Sequence, residues 1–391
     1  LEIATKDELT LGPSKKITIV GNNKSDQNSV GGTLSGAAGV DASYGGALEL
    51  AKHVSSGGDR TNVGAGAGGK LILKGEIANQ GGGALTKVGD GTVALTHANT
   101  TYTGETTIKE GTLRAEDRKA LGDGSVKIEE GGTLEIATTE LTLGPSATIT
   151  IFSNDASDRN SIGGTLSGAA GVTATYAGAL ELALAKILPP GIPGVRTNVG
   201  AGASGRLALT GQITDSRAGL RLEKVGDGTV VLGNAGNDYG GGTTIGAGTL
   251  ETTFVGALPK DGAVTVEKNG VLDLKGFNQS IGTLLGAGSV DLGGGTLTVG
   301  KGNFTGQFVV KTPGSTAGHL EKTSVETLIL GNSNTLESTT IQGGKLTAGD
   351  GKALGDGSVM VEEGGTLEIA TKDELTLGPS KKITIVGNNK S

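Results

Sequence analysis

The chain contains 391 residues, of which 74 are Gly and 8 are Pro, with no Cys, no Trp and a formal net charge of −7. Glycine greatly exceeds its usual share of ~7%, but it lacks the three-residue period of collagen, and the scarcity of Pro excludes a proline–glycine linker. The acidic balance argues against a nucleic-acid partner, and the lack of Cys excludes disulfides and thiolate metal sites. Because only four Tyr and five Phe occur, we expect a thin core lined by Val, Ile, Leu and Ala.

The chain begins with a segment that returns at its end. Residues Leu1–Ser25 recur without a change as Leu367–Ser391, and a more diverged copy begins at Leu134. We therefore predict internal units over 1–133 and 134–366, with 367–391 as the start of the next unit. Because the sequence opens inside a strand pattern and without an initiator Met, we expect a window on a longer tandem array.

Short strand patterns follow one another along the whole chain. Thr133–Ile136 and Thr148–Ile151 alternate apolar and polar residues, and Gly-Asp, Asp-Gly and Gly-Gly pairs separate such runs. Strands of this kind could also form an antiparallel sandwich. Stacked coils are favoured because the glycines recur at corresponding corners and because the pattern continues along the chain without a domain boundary. We predict an all-β fold: one continuous right-handed parallel β-helix (β-solenoid) over 1–391, forming an elongated rod of about 16 to 19 coils with roughly 20 to 25 residues each.

Two segments at corresponding positions are predicted to protrude as loops, 51–59 and 185–195. The second reads AKILPPGIPGV, and its three Pro cannot donate ladder hydrogen bonds. Its partner copy, AKHVSSGGD, contains no Pro. A segment whose composition varies this freely is typical of an exposed insertion.

Two glycine-rich segments, Gly64–Gly69 and Gly200–Gly205, match the G-x-G-x-x-G pattern of dinucleotide sites. Such a site needs a strand before the motif and a helix after it. A strand pattern, KLILKGEI, follows the first copy instead. We predict glycine corners at both places.

A superficial likeness to a serine nucleophile turn occurs at Gly122–Ser125 and again at Gly355–Ser358, but Gly occupies the nucleophile position. The histidines of the chain are His53, His97 and His319, and none recurs in matching copies. A catalytic triad needs one organised base beside one Ser. We predict turns here.

Acidic residues of two kinds raise the question of a metal or of glycan cleavage. Asp residues often flank Gly, as at Asp90, Asp123, Asp227, Asp350 and Asp356, but the tandem nonapeptide of calcium β-rolls does not occur. Asp-Gly turns are therefore the simpler interpretation, and weak calcium binding is the alternative. The carboxylate pairs Glu129-Glu130 and Glu362-Glu363 occupy equivalent places in two repeats, and neighbours on a strand face opposite sides. We therefore predict no catalytic, cofactor-binding or metal-binding residues, and no cofactor.

One repeat carries a family resemblance. LTKVGDGTVALTHANTTYTGETTIKEGTL from Leu85 and a second copy from Leu222 combine a K-x-G-x-G-T-x-x-L run, a Y-x-G run and G-T-L, and a weaker copy begins at Leu320. This combination resembles the passenger-associated transport repeat of bacterial autotransporter proteins, and Asn269–Gly300 is also similar to passenger sequence. The resemblance implies a right-handed parallel β-helix passenger that is exported through the outer membrane of a Gram-negative bacterium by a translocation barrel elsewhere in the protein.

Repeats and resemblance together lead to a functional expectation. We expect a structural or adhesive extracellular rod or fibre of a bacterial surface protein, not an enzyme. Its partners would be copies of itself, end to end or side by side, or another cell surface, and no nucleic acid. One alternative is the stalk of an adhesin or toxin passenger whose binding tip lies elsewhere, and a more remote one is a β-helix enzyme that acts on polysaccharides.

Overall fold

A computed structural model describes residues 1–5, 8–9, 16–20, 32–51, 60–80, 83–99, 101–153, 163–184, 195–217, 219–311 and 316–387. None of these residues lies in a helix, so this part of the chain offers no helical membrane span. The chain forms two compact units, Leu1–Leu220 and Arg221–Ser391.

The described residues of the first unit form 23 strands, numbered in chain order. They are β1 (Glu2–Ile3), β2 (Glu8–Leu9), β3 (Ile17–Val20), β4 (Thr33–Gly36), β5 (Asp41–Tyr44), β6 (Leu48–Ala51), β7 (Arg60–Ala65), β8 (Lys70–Leu73), β9 (Ile77–Gln80), β10 (Ala84–Val88), β11 (Thr92–Leu95), β12 (Thr106–Ile108), β13 (Gly111–Ala115), β14 (Val126–Ile128), β15 (Gly132–Ile136), β16 (Glu140–Leu141), β17 (Thr148–Phe152), β18 (Thr165–Gly168), β19 (Thr173–Tyr176), β20 (Ala179–Ala183), β21 (Arg196–Ala201), β22 (Arg206–Leu209) and β23 (Ile213–Asp215).

Strands of the first unit pair with the equivalent strand of the next coil, not with their neighbour in sequence. One face is a nine-stranded parallel sheet in the order β1-β4-β7-β10-β12-β14-β17-β20-β23. A second face runs in parallel through β8, β11, β13, β15, β18 and β21. Parallel pairing between coils is the arrangement of a β-solenoid, as the glycine and strand patterns predicted.

The second unit contains the remaining strands. They are β24 (Arg221–Val225), β25 (Thr229–Leu232), β26 (Thr243–Thr252), β27 (Ala263–Asp273), β28 (Gln279–Gly286), β29 (Ser289–Asp291), β30 (Thr296–Phe304), β31 (Gln307–Val309), β32 (His319–Lys322), β33 (Thr327–Leu330), β34 (Ser338–Ile341), β35 (Gly344–Ala348), β36 (Ser358–Val361), β37 (Gly365–Ile369) and β38 (Ile383–Ile385).

Several strands of the second unit continue around a corner of the coil. Strand β26 pairs with β24 through Thr243–Ile245 and with β25 through Thr249–Thr252. Its register against β27 shifts between Ile245 and Ala247, where the backbone turns. These pairs are parallel as well, so this unit is also a β-solenoid.

Aliphatic side chains form in-register columns inside the coils. In the first unit, one column consists of Leu71, Val93, Leu113, Leu134, Leu166 and Val199, each 0% exposed. The predicted core of Val, Ile, Leu and Ala is therefore confirmed. The aromatic residues were underestimated, because all four Tyr, together with Phe304 and Phe308, are also buried.

The coils differ in length more than the sequence predicted. Glu2 lies beside Ser35, whereas Ser280 lies beside Thr298, so one turn takes 33 residues in the first case and 18 in the second. Over the residues that the structure describes, the coils number about 14. This is fewer than the predicted 16 to 19, because the longest coils take more than the predicted 20 to 25 residues each.

The two segments predicted to protrude as loops fall almost entirely on residues that the structure does not describe. Apart from Ala51, the end of β6, and Val195, residues 51–59 and 185–195 lie outside the described residues. The predicted repeat boundaries, 1–133 and 134–366, stay a prediction.

Candidate functional site

Three lysines are buried at equivalent corners, and none is exposed to solvent: Lys87, Lys224 and Lys322. The Nζ of Lys87 donates to the carbonyl oxygens of Val88 at 3.1 Å, Gly89 at 2.5 Å and Glu110 at 2.9 Å. The first two acceptors lie on its own coil and the third lies on the next. This ammonium group therefore ties the corners of two coils together.

The same arrangement recurs in the second unit. Lys224 Nζ donates to the carbonyl oxygens of Val225, Gly226 and Ala247 at 3.0, 2.7 and 2.9 Å. The third copy replaces K-V-G-D-G-T by K-T-S-V-E-T, yet Lys322 Nζ still donates to Ser324 O and, at 3.0 Å, to Gly343 O. The third copy thus retains the buried lysine although it has lost the glycines of the motif.

Burial changes the acidity of these lysines. It lowers the pKa of Lys224 to about 8, although the carboxylate of Asp227 opposes the shift. It also lowers the pKa of Lys87 to about 8, against the attraction of Glu110 and Asp90. A lysine titrating this close to neutrality makes stability depend on pH in the alkaline range.

We expect the stabilising contribution of Lys224 to increase as the pH rises from 8 towards 10.5. In this window the unfolded chain holds the proton that the folded chain has released, so raising the pH favours the folded state. Urea unfolding followed by circular dichroism, at pH 7.5 and at pH 10, would compare the wild type with Lys224→Met. The difference between their midpoints should widen at the higher pH, and a constant difference would show that the three carbonyl acceptors hold the ammonium form.

Each tyrosine is buried near a corner of a coil, and its hydroxyl is hydrogen-bonded there. Tyr102 O–H donates to Glu105 O at 2.8 Å and accepts from Leu85 N–H at 3.0 Å. Tyr176 O–H donates in the same way to Ala179 O at 3.1 Å. Burial is the main cause that raises the pKa of Tyr102 and Tyr176. These phenols therefore stabilise the corners and are not available to a ligand.

After Tyr44 and after Tyr176, the second residue is a glycine because the ring occupies the space of its side chain. A Cβ atom at Gly46 would lie 2.4 Å from the hydroxyl oxygen of Tyr44, and one at Gly178 would lie 2.4 Å from that of Tyr176. In the Y-x-G run of the transport repeat, a Cβ atom at Gly104 would lie 2.1 Å from Gly83 O on the preceding coil and 3.0 Å from the ring of Tyr102, so close approach between coils also requires glycine there.

Two buried aspartates, Asp273 and Asp291, lie side by side on neighbouring coils of the second unit. Each closes a local turn, because Asp273 Oδ1 accepts from Lys275 N–H and Asp291 Oδ1 accepts from Gly293 N–H, both at 3.0 Å. Burial raises the pKa of Asp273. Sequence reasoning missed this pair, although D-L-x-G recurs in both places.

The acidic residues that sequence reasoning considered lie in turns. Glu129 and Glu130 follow the end of β14, in the turn before β15, and Glu362 and Glu363 occupy the equivalent turn after β36. The argument that strand neighbours face opposite sides was therefore wrong for them, since they are not on a strand. Across the described ranges, no three His, Asp or Glu side chains are grouped as metal ligands would be.

The glycine motifs lie at corners. Gly64 lies in β7, which ends at Ala65, and β8 begins at Lys70, so a strand follows the G-x-G-x-x-G run. A Cβ atom at Gly69 would lie 2.3 Å from Ala37 O on the preceding coil, which explains why glycine is needed. Gly122, in the first G-D-G-S run, has a φ of 64° and lies in a turn.

One contact between a serine and a histidine was missed. His319 Nδ1 lies 2.8 Å from Ser338 Oγ, because β32 and β34 pair in register there. Within the described residues, His319 forms no ion pair with a carboxylate, the third member that orients the base of a triad. His97 is exposed, and its Nδ1 lies 2.8 Å from the carbonyl oxygen of the next residue, Ala98. His53 lies outside the described residues.

A different surface distinguishes one corner of the second unit. Phe254 is 55% exposed, Val255 59% and Phe277 36%. Gln279 Nε2 donates to the carbonyl oxygens of both Phe254 and Phe277, so the two phenylalanines lie on adjoining corners. We call Phe254, Val255 and Phe277 the Phe254 patch.

The equivalent corners of the other two copies are polar. Residues 117–119 read Asp-Arg-Lys and residues 350–352 read Asp-Gly-Lys, and in both the Asp Oδ1 accepts from the Lys N–H at 2.8 Å. Residues 254–256 read Phe-Val-Gly, so this corner has no aspartate at the equivalent position. Its backbone turns instead at Gly256, which has a φ of 70°. A buried Ala-Leu pair follows each corner: Ala120-Leu121, Ala257-Leu258 and Ala353-Leu354. The frame of the corner is therefore constant while its exposed side chains change.

Comparison with known proteins agrees with the recurrence of the buried lysines. A family model described as Passenger-associated-transport-repeat matches residues 85–115, 222–251 and 320–348. Each match contains one of the buried lysines. No solved structure gives a significant match.

A relative of known name matches part of the chain. The adhesin BmaC autotransporter of Brucella suis biovar 1 (strain 1330) is 33% identical over 202 residues, which are 46% of this chain and 6% of the relative. The chain therefore corresponds to a small part of that protein.

Proposed function

Because this chain is a segment of an autotransporter passenger domain that carries passenger-associated transport repeats, we propose that it acts as a non-enzymatic adhesive scaffold on the surface of a Gram-negative bacterium. Its export would depend on an outer-membrane translocation domain elsewhere in the protein. The coils supply a constant backbone, and their exposed corners supply the contacts with another cell surface.

The observation that carries this proposal is that the buried residues are the same in the three copies, whereas the residues at the exposed corners differ. The buried Lys and the Ala-Leu pair recur in three copies, whereas the exposed residues change from Asp-Arg-Lys to Phe-Val-Gly. Exposed aromatic and aliphatic side chains at one corner are unfavourable in water and are typical of contact sites. We therefore place the contact with a target surface at the Phe254 patch.

The corners of the chain provide a matched exchange experiment. In one variant, F254D/V255R/G256K, residues 254–256 take the sequence of residues 117–119. Beads coated with this variant or with the wild type would be tested for retention on host-cell monolayers under flow. We expect at least a tenfold loss of retention, because losing a central aromatic anchor costs ~2 kcal/mol or more.

The reciprocal variant, D117F/R118V/K119G, is the control, and it should retain at least the binding of the wild type. Equal retention of the wild type and F254D/V255R/G256K would overturn the assignment of the patch. If beads with the wild type bound no better than uncoated beads, the chain would be a stalk whose binding tip lies elsewhere in the passenger.

The polysaccharide-acting enzyme remains the competing function, and it has a direct test. The chain would be incubated with a panel of bacterial and host polysaccharides, and product release would be compared with that of Glu129→Gln/Glu130→Gln. We expect no turnover with either protein. Turnover that the double substitution abolishes would contradict the proposed adhesive role.

A further inference from the structure

The identical segments Leu1–Ser25 and Leu367–Ser391 pair with different neighbours in their respective units. In the first copy, the strands pair with the following coil: Ile3 lies beside Gly36, Ile17 beside Leu48 and Ile19 beside Leu50. In the second copy, they pair with the preceding coil. There Ile369 lies beside Ala348 and Ile383 beside Val359. Each copy thus shows the neighbour that the other lacks in the structure.

The exposed fractions of equivalent side chains in the two copies show which residues the following coil covers. Ile3 is 4% exposed, but Ile369, the same residue of the second copy, is 54% exposed. Ile19 is 5% exposed and its counterpart Ile385 is 75% exposed. Since the sequences are identical, the covering coil accounts for the difference.

Among the described residues, β37 and β38 of the second copy each have a neighbouring strand on one side only. In the first copy, Ala37 N–H donates to Ile3 O and Gly32 N–H donates to Val20 O, both at 2.9 Å. The corresponding carbonyls of the second copy belong to Ile369 and Val386. A strand edge of this length with apolar side chains is a template for a further strand.

We propose that the edge formed by Leu367–Gly387 docks a second copy of the segment 32–51, in the register that the first copy already holds. Glu368 would then lie beside the copy of Ser35, and Ile383 and Ile385 beside the copies of Leu48 and Leu50. The occupant follows from identity: the segment that pairs with β1, β2 and β3 in the first copy meets the same residues in the second. Two such segments would thereby stack in register.

Engineered disulfides can test this register, since the chain has no Cys. The complete chain would be extended after Ser391 by a second copy of residues 26–99. Glu368 and the extension's copy of Ser35 would be replaced by Cys. Neighbouring coils lie ~4.8 Å apart, within the 4.4–6.8 Å that a disulfide needs between Cα atoms, whereas a shift of two residues increases this distance to about 8 Å.

The positive control is Glu2→Cys with Ser35→Cys in the unextended chain, where the structure shows the pairing. We expect the extended chain to oxidise to a similar extent. A third protein, with Glu368→Cys and the copy of Thr33 changed to Cys, should oxidise at least tenfold less. Equal oxidation of the two extended proteins, or none in either, would overturn the proposal.

Hydrogen exchange provides a second measurement that needs no substitution. Amides of Ile383–Ile385 should exchange at least tenfold more slowly in the extended chain, because an edge that frays freely becomes an interior strand. Unchanged exchange at β38 would contradict docking. Failure of the Phe254 patch in the bead assay would leave this result unaffected, because the two surfaces share no residue.

Discussion

Replacing Gly124 by alanine is expected to destabilise the first unit by about 3 kcal/mol, at the upper end of the usual cost of overpacking. A Cβ atom at Gly124 would lie 1.7 Å from the carbonyl oxygen of Gly104 on the preceding coil. Gly124 has no positive φ, so the cost is steric and not conformational. Thermal unfolding and hydrogen exchange at β12 and β14 would measure the loss.

The coils cannot separate to make room for the methyl group. Hydrogen bonds join them on both sides of the contact, from Asp123 N–H to Tyr102 O at 2.9 Å and from Thr106 N–H to Ser125 O at 3.0 Å. Opening this spacing would break the parallel ladder on both sides of the corner. The strain therefore has to appear as lost stability.

Gly246→Ala is the matched control for this effect. Gly246 also has no positive φ, and the nearest atom to its added Cβ would be Lys224 O at 3.5 Å, an ordinary contact. We expect a change within ~0.5 kcal/mol, as at sites where alanine fits. Equal effects of the two substitutions would show that the close approach at Gly124 does not govern the spacing of the coils.

The same G-D-G-S turn shows how far sequence reasoning reaches. Turn chemistry predicts Gly122, whose φ of 64° favours glycine. It does not explain Gly124, because the atom that excludes a side chain belongs to Gly104, 20 residues earlier and on another coil. Sequence patterns indicate where the local backbone needs glycine. They do not indicate which residues meet on neighbouring coils, because that depends on the length of each coil.

The tyrosines and lysines show the same limit. Their positions in the Y-x-G and K-x-G runs were visible in the sequence, and the parallel solenoid that the runs predicted is confirmed. The low aromatic content suggested that these rings matter little to the core, but they fill corners whose volume depends on the following glycine. The acceptors of Lys87 include Glu110 O, 23 residues away, so burial of its charge follows from the register of coils.

Lys224→Met is expected to destabilise the second unit by about 3 to 5 kcal/mol, because removal of the ammonium group leaves three carbonyl oxygens without their donor in a buried corner. Met keeps most of the length and volume of the side chain, so packing changes little. The three lost bonds are charge-assisted, and these are stronger than neutral ones. The effect should be greatest where Lys224 joins two coils, at β24 and at the bend of β26 near Ala247. Hydrogen exchange of peptides from these strands would measure it, with the midpoint of thermal unfolding as the global measure.

Lys268→Met provides the control, since Lys268 lies on the same unit and is exposed. It removes the same charge from the chain but no buried donor, so we expect a change within ~0.5 kcal/mol. Lys87→Met should reproduce the loss in the first unit, because its three acceptors match those of Lys224. Lys322→Met should cost less, since Lys322 donates to two carbonyls where the others donate to three. Similar losses for Lys224→Met and Lys268→Met would mean that net charge, and not the carbonyl contacts of the buried lysine, holds the corner together.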